Sequence, residues 1–97
     1  MKEHHEILVS VAMGSDSDAP IMAEAVNVLR EFEIHYEVYL TSAHRAPERT
    51  TAFARGAVER GVKIIIVGAG AAAHLAGVIA SQTPLPVIGV PIDSTPL

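Results

Sequence analysis

With 97 residues, 49% of them hydrophobic, the chain has the length and the aliphatic composition of one small globular domain. Seven Lys and Arg against eleven Asp and Glu give it a formal net charge of -4, which argues against a nucleic-acid groove. It has no cysteine for disulfides or thiolate metal sites, no stretch resembling a secretory leader and no apolar run of membrane-spanning length, so we expect a cytoplasmic protein without a membrane or nucleic-acid partner.

The first predicted unit is a buried strand followed by a helix. A nearly continuous apolar run over residues 7–13 is typical of a strand that is buried on both faces. Pro20 follows a polar turn at a position that the first turn of a helix tolerates, and we place this helix over residues 19–32 with Ser17 or Asp18 as its N-cap. Its inward face should be formed by five apolar residues at helical spacing: Ile21, Ala25, Val28, Leu29 and Phe32.

The second unit begins with alternating apolar and polar residues over 34–41, which predict a half-exposed strand at the edge of a sheet. Pro47 opens the following helix, Glu48 stands near its positive end, and Gly61 ends it. The inward face of this helix should consist of Phe53, Ala54, Ala57 and Val58.

The second half of the chain repeats the alternation of strand and helix. We predict a fully buried strand over residues 64–67, a glycine-bearing turn, a short helix that ends near Gln82, and a fourth strand over residues 86–90. Four strands that alternate with three helices through short links imply a parallel sheet with right-handed crossovers. The predicted fold is therefore α/β, a three-layer doubly wound parallel sheet with strand order 2-1-3-4 and helices on both faces.

Polar or glycine-rich loops follow all four predicted strands, at residues 14–18, 42–47, 68–74 and 91–94. Because the carboxyl ends of parallel strands share one edge of the sheet, these loops should lie together and form a ligand site. The side chains best suited to chemistry are His44, which exchanges a proton near neutral pH, and Arg45, which binds anions and makes its neighbour easier to deprotonate. A structural interpretation stays open, in which Arg45 pairs with Glu48 and His44 packs.

Two glycine-containing loops carry competing interpretations. In residues 14–18, backbone N–H groups and serine hydroxyls can hold a phosphate at a helix N-terminus while an aspartate binds a sugar, or the loop is simply an N-cap turn. Residues 68–73 fit the dinucleotide pattern G-x-G-x-x-A, with Asp93 following, but their place after the third strand and the short helix argue against it. No H-x-x-x-H or G-x-S-x-G pattern indicates a metal site or a serine nucleophile.

Four segments together resemble one enzyme family in their order and spacing: residues 13–18, 42–47, 68–75 and 86–91. On them the chain strongly resembles the N5-carboxyaminoimidazole ribonucleotide mutases, the class I form of the phosphoribosylaminoimidazole carboxylase catalytic subunit. Arg45, in place of lysine, resembles the class I mutases more than the animal-type carboxylases. The resemblance implies a flavodoxin-like fold and an isomerase of purine biosynthesis without a cofactor, which converts N5-carboxyaminoimidazole ribonucleotide to 4-carboxy-5-aminoimidazole ribonucleotide by decarboxylation and recarboxylation.

The resemblance also implies roles for individual residues. His44 would act as general acid and then as base, and Asp18 would bind the ribose hydroxyls. The phosphate would be held by Ser15, Ser17, Ser42 and Arg45. The carbon dioxide would be enclosed by Ala43, Gly70, Ala71 and His74. Gly14 and Leu75 complete the expected substrate-binding set, which contains no metal ligand.

The chain departs from the family pattern in one loop and in length. Ala71 and Ala76 stand where the family commonly has glycine and proline, and a methyl group at Ala71 narrows the pocket if the backbone there needs positive φ. Family members continue with a fifth strand and C-terminal helices and form octamers, so we expect residues 1–97 to be one C-terminally incomplete domain of a homo-octamer. Two alternatives stay open: a related carboxylase-type domain acting on another nucleotide, and a non-catalytic fragment that binds a phosphoribosyl ligand.

Overall fold

The computed structural model describes residues 6–41, 47–70 and 74–92, and its strands and helices alternate as the sequence predicts. The strands are β1 (Val9–Met13), β2 (Tyr36–Leu40), β3 (Ile64–Ala69) and β4 (Val87–Pro91). The helices are α1 (Ala19–Glu31), α2 (Pro47–Gly56) and α3 (His74–Ala80), and a short 3-10 turn, Asp16–Asp18, precedes α1. No helix in these three ranges combines the length and the apolar character needed to cross a membrane.

The four strands form one parallel sheet in the order β2-β1-β3-β4, with β2 at an edge. Val11 of β1 lies level with Val38 on one side and with Ile66 on the other, and Ile66 lies level with Ile88. This confirms the predicted α/β fold with strand order 2-1-3-4. The chain first winds from β1 towards β2 and then returns past β1 to β3, which creates the switch point where open α/β sheets bind ligands.

Apolar side chains pack against both faces of the sheet and make the three layers. On one face, Phe53 of α2 and Ile79 of α3 pack with Val67 of β3. On the other face, Met22 and Leu29 of α1 form a second cluster with the alternate residues of β1. All five residues of β1 are buried, as expected for a central strand that is covered from both sides.

The orientation of α1 about its axis differs from our prediction. Met22 and Leu29 are buried against the sheet. Three residues of the predicted inward face are instead exposed, by 44%, 49% and 70%: Ile21, Val28 and Phe32. Apolar residues surround more than half of this helix, so their spacing alone does not select the buried side. Contact with Gly68 selects the buried side. A Cβ added to Gly68 would collide with the Met22 sulfur and lie 2.9 Å from Cδ1 of Ile92. The absence of a side chain at Gly68 therefore leaves the space that Met22 fills.

Two smaller predictions also need correction. α2 ends at Gly56 instead of Gly61, and Val58, which we place on its inward face, is half exposed because it lies in the turns after the helix. The other residues of that face are buried: Phe53, Ala54 and Ala57. β3 is fully buried on one face only, since its residues Ile64 and Ile66, which alternate onto the face that α1 covers, are half buried.

Candidate functional site

The carboxyl ends of the strands meet at one edge of the sheet, as the parallel order requires. Met13 lies level with Leu40 and with Gly68, and Gly68 lies level with Val90. The pairing continues one residue beyond β2, because the Thr41 N–H donates a 2.9 Å hydrogen bond to the Met13 carbonyl. The strands therefore end at the same height, along one edge of the sheet.

Gly14 marks the point where three of these loops converge. A Cβ added to Gly14 would lie 3.7 Å from the Thr41 carbonyl oxygen and 3.8 Å from Cδ2 of Leu75. The start of the first loop thus lies beside the end of β2 and the first turn of α3. Leu75 is buried in the cluster beneath α2 and α3, so it packs the floor of the site and exposes little of its own surface.

The loop before α1 carries a pair of serine hydroxyls. Ser15 and Ser17 hold their Oγ atoms 2.9 Å apart, and the Ser17 N–H donates to Ser15 Oγ at 3.2 Å. Both side chains are exposed, and they lie at the N-terminal end of α1, where free N–H groups and the helix dipole attract an anion. Asp18 occupies the N-cap position of α1, is 5% exposed and makes no capping hydrogen bond with its side chain. Ser15 therefore caps the 3-10 turn and remains accessible to a ligand.

The loop between Thr41 and Pro47 carries the predicted proton-transfer group. Ser42, Ala43, His44 and Arg45 lie outside the described residues. Thr41, which precedes them, is buried, and its hydroxyl lies 2.7 Å from that of Thr50 in α2. Pro47 begins α2 as predicted, and Glu48 is exposed in its first turn, near the positive end of the helix.

The loop between β3 and α3 supplies two further predicted site residues. Gly70 is half buried just after β3, and His74 is exposed as the first residue of α3. Ala71 lies outside the described residues, and so does Asp93, on which the dinucleotide alternative depends. α3 has seven residues, which agrees with the short helix that weighs against a dinucleotide site.

Polar contacts beneath the site were not predicted from the sequence. Ser10 is buried in β1 and donates its hydroxyl to the Glu37 carboxylate, which also pairs with the Arg60 guanidinium at 3.0 Å. The sequence contained one signal for this network, a serine within the apolar run of β1. No signal marked the bond between Thr41 and Thr50, because both threonines stand in polar stretches of the sequence.

Two rings and two guanidinium groups join α2 to the edge strand. The Tyr39 ring stacks on the Phe53 ring with centroids 4.4 Å apart. Arg49 lies 5.6 Å above the Tyr39 ring, and Arg60 lies 5.1 Å above the Phe53 ring. These contacts position the helix whose N-terminus faces the site. Within the described ranges, no group of three or more His, Cys, Asp or Glu side chains is arranged to hold a metal ion.

Comparison with known proteins confirms the resemblance. The family model described as AIR carboxylase matches residues 8–97. An N5-carboxyaminoimidazole ribonucleotide mutase of Pyrococcus horikoshii is 59% identical over 90 residues, which cover 93% of this chain and 51% of that protein. The mutase of Mycobacterium tuberculosis is 61% identical over 84 residues, covering 87% of this chain and 48% of the relative. A phosphoribosylaminoimidazole carboxylase of Saccharomyces cerevisiae is 54% identical over 88 residues, which cover 91% of this chain and 15% of that protein. The chain spans about half the length of the curated mutases it matches.

Proposed function

Since the chain belongs to the AIR carboxylase family, we propose that it carries the catalytic edge of an enzyme that converts N5-carboxyaminoimidazole ribonucleotide to 4-carboxy-5-aminoimidazole ribonucleotide. One observation carries the proposal: the chain matches mutases at 59% to 61% identity over 84 to 90 residues, and its parallel sheet gathers the carboxyl ends of the strands at one edge. The two alternatives considered from the sequence have no comparable support.

The substrate's phosphate binds at the start of α1. The exposed hydroxyls of Ser15 and Ser17 donate to phosphate oxygens there, together with Ser42 and the guanidinium of Arg45. Asp18 accepts hydrogen bonds from the ribose hydroxyls, and its carboxylate is not engaged in capping the helix that it begins. These contacts fix the ribonucleotide so that its imidazole ring reaches the loop that carries His44.

The chemistry moves one carboxylate within the bound nucleotide. The bond between the exocyclic nitrogen and its carboxylate breaks, carbon dioxide is released, and His44 gives a proton to that nitrogen. The ring carbon at position 4 then bonds to the carbon dioxide and loses its hydrogen as a proton, which His44 takes back. The loop walls formed by Ala43, Gly70, Ala71 and His74 retain the carbon dioxide and exclude water between the two steps. Protons and electrons balance within this cycle, so it needs no cofactor.

The oligomeric state and the cellular location belong to the same proposal. We infer a homo-octamer in the cytoplasm, of which residues 1–97 are part of one domain. Support comes from the mutases, which are about twice as long as this chain, and from the outer edge of β4, where Ile88 is half exposed. An apolar edge strand is normally covered by further chain or by a partner.

The test is turnover by the full chain, with the His44→Asn variant as its control. Purified protein is supplied with either carboxylated nucleotide, and both nucleotides are separated and quantified over time. We expect interconversion by the natural protein and a loss of about 100-fold or more in His44→Asn, because general acid–base catalysis contributes that much. Nucleotide binding should be retained in the variant. Binding without any turnover by the natural protein would favour the non-catalytic alternative.

A further inference from the structure

We propose that Arg60 is a positioning residue, which fixes α2 on the sheet and thereby sets the place where this helix meets the end of β2. Arg60 lies in the turns that follow α2. Its Nη2 atom lies 3.0 Å from Oε2 of Glu37 in β2, and this oxygen also accepts a hydrogen bond from the hydroxyl of Ser10 in β1. We call these three residues the Arg60 cluster. Its effect on turnover rests on the proposed function, whereas its effect on α2 does not.

The Arg60 cluster joins two strands to the turns after α2 through one carboxylate. Ser10 is fully buried, and a buried hydroxyl without a partner is strongly unfavourable, so Ser10 holds the Glu37 carboxylate in one place. The Glu37 and Arg60 side chains are 22% and 37% exposed, so water screens their attraction only in part. The carboxylate is therefore a fixed point on the sheet to which the guanidinium binds.

The same guanidinium folds back over the last turns of α2. Nη2 of Arg60 donates to the Phe53 carbonyl at 3.3 Å, and the guanidinium lies 5.1 Å above the Phe53 ring. A cation near the carboxyl end of a helix is also favoured by the helix dipole. Phe53 is buried and stacks on Tyr39 of the edge strand. Arg60 thus holds the residue through which this part of α2 packs on β2.

Gly56, the last residue of α2, leaves the space that the guanidinium occupies. A Cβ added to Gly56 would lie 2.9 Å from Nη1 of Arg60, so one of the two groups would have to move. The guanidinium is the group that moves, because it ends a flexible side chain. The φ angle of Gly56 is not positive, so alanine suits the backbone at this position. Gly56→Ala therefore displaces the Arg60 guanidinium without distorting the helix.

The other end of α2 lies at the edge of the sheet that carries the proposed site. Among its contacts, Thr50 places its hydroxyl 2.7 Å from that of Thr41, the residue after β2. A Cβ added to Gly14 would lie 3.7 Å from the Thr41 carbonyl oxygen, so Thr41 borders the start of the proposed phosphate loop. The ten residues of α2 move largely as one body, because hydrogen bonds join its successive turns. A tilt of α2 after the loss of Arg60 therefore shifts Thr41 relative to Gly14.

The experiment compares variants of the full chain. Arg60→Met removes the guanidinium and keeps an unbranched stem, and Arg60→Lys keeps the charge without the planar fork. Gly56→Ala is made both in the natural protein and in Arg60→Met. Arg55→Met is the matched control, because it removes an exposed guanidinium of the same helix, one that bonds to Gln82.

Two quantities are measured well below the thermal midpoint of each variant. The first is the hydrogen-exchange rate of the backbone amides of residues 51–56 in α2, with residues 23–31 in α1 as the reference. The second is kcat/KM for the carboxylated nucleotide. Exchange reports local opening of the helix, and it needs no turnover.

We expect Arg60→Met to accelerate exchange in α2 by about tenfold without a matching change in α1, because a partly buried carboxylate loses its charged partner. In folded protein it should also lower kcat/KM by about tenfold, since small displacements at a site reduce turnover. Arg60→Lys should fall between this variant and the natural protein, and Arg55→Met should stay close to the natural protein. Gly56→Ala should accelerate exchange in the natural protein but not in Arg60→Met, where the group it displaces is already absent.

The proposal is overturned if Arg60→Met exchanges no faster in α2 than Arg55→Met does, or if Gly56→Ala has the same effect in both backgrounds. Equal acceleration in α1 and α2 would mean general unfolding and would also overturn it. Faster exchange in α2 with unchanged kcat/KM would overturn the positioning role. Should the natural protein show no turnover, the proposed function fails, while the exchange rates still decide whether Arg60 fixes α2.

Discussion

Ser15 and Ser17 illustrate how one residue serves both the fold and a ligand. Ser15 accepts the Ser17 N–H and so shapes the turn before α1, yet both hydroxyls stay exposed at the helix N-terminus. The structural and the functional interpretation of this loop are therefore compatible, because an N-cap serine that is not covered can also donate to a phosphate. In the proposed function, Arg45 is the residue that supplies the formal charge that these neutral hydroxyls lack.

Replacing Arg45 by alanine should weaken binding of the phosphorylated nucleotide by about tenfold to 100-fold, since a hydrogen bond to a charged group contributes about 1.5–3 kcal/mol. The dephosphorylated nucleoside should bind to the variant as it does to the natural protein. Arg55→Ala is the matched control, because Arg55 bonds to Gln82 on the outer side of α2 and α3. Titration calorimetry with both ligands makes the comparison. An equal loss for both would contradict the assignment of Arg45 to the phosphate.

At the scale of elements, α1 packs closely against β3 because β3 has a glycine, Gly68, at the point of contact. Gly68 lets the Met22 side chain lie directly over β3, and Ile92 fills the remaining space. The contact sets the rotation of α1 and with it the position of Asp18 at the start of the helix. Packing between α1 and β3 thus determines the position of Asp18, the residue proposed to bind the ribose.

Gly68→Ala should therefore destabilise the fold by about 1–3 kcal/mol, as overpacking of a core does, with part of the loss relieved by bending of the Met22 side chain. Gly77→Ala is the control: an added Cβ at Gly77 meets nothing within 4 Å, and alanine in a helix is favoured over glycine by about 1 kcal/mol. Urea unfolding measures both free energies. Equal effects of the two substitutions would contradict the packing described for α1.

The sequence predicted the helices and strands more accurately than it predicted which face of each helix is buried. The nearly continuous apolar run of β1 and the alternation of β2 each had one reasonable interpretation, so a central strand and an edge strand followed directly. Ile21 and Phe32 were misplaced because nearly any rotation of α1 buries some apolar residue, and only contact with Gly68 chooses among them. Thr41 and Thr50 could not be paired from the sequence, since their contact depends on how α2 settles on β2.

At the scale of the whole molecule, apolar surface remains at several places among the described residues, and two of them bear on assembly. Ile88 is half exposed on the outer strand β4, and a stripe along α1 includes the 70% exposed Phe32. An edge strand with exposed apolar residues favours association with other chains. Both places agree with the inference that this domain works within a larger assembly.

We expect native mass spectrometry of the full chain to give eight copies of the mass found for the denatured polypeptide. If the proposed octamer is the working form, turnover should elute with that species in size-exclusion chromatography. Phe32→Glu on the exposed stripe of α1 tests whether this surface takes part: if it does, the variant elutes later. A monomer that carries full turnover would contradict the octamer.

The stack between α2 and the edge strand also gives the protein an internal optical reporter. The chain has no tryptophan and two tyrosines, so its near-ultraviolet dichroism comes from very few rings. Tyr39 stacks on Phe53 and lies near the Arg49 guanidinium, whereas Tyr36 accepts a hydrogen bond from Arg30 near the opposite end of the sheet. The Tyr39 band therefore reads out the docking of α2 on the edge strand without any label.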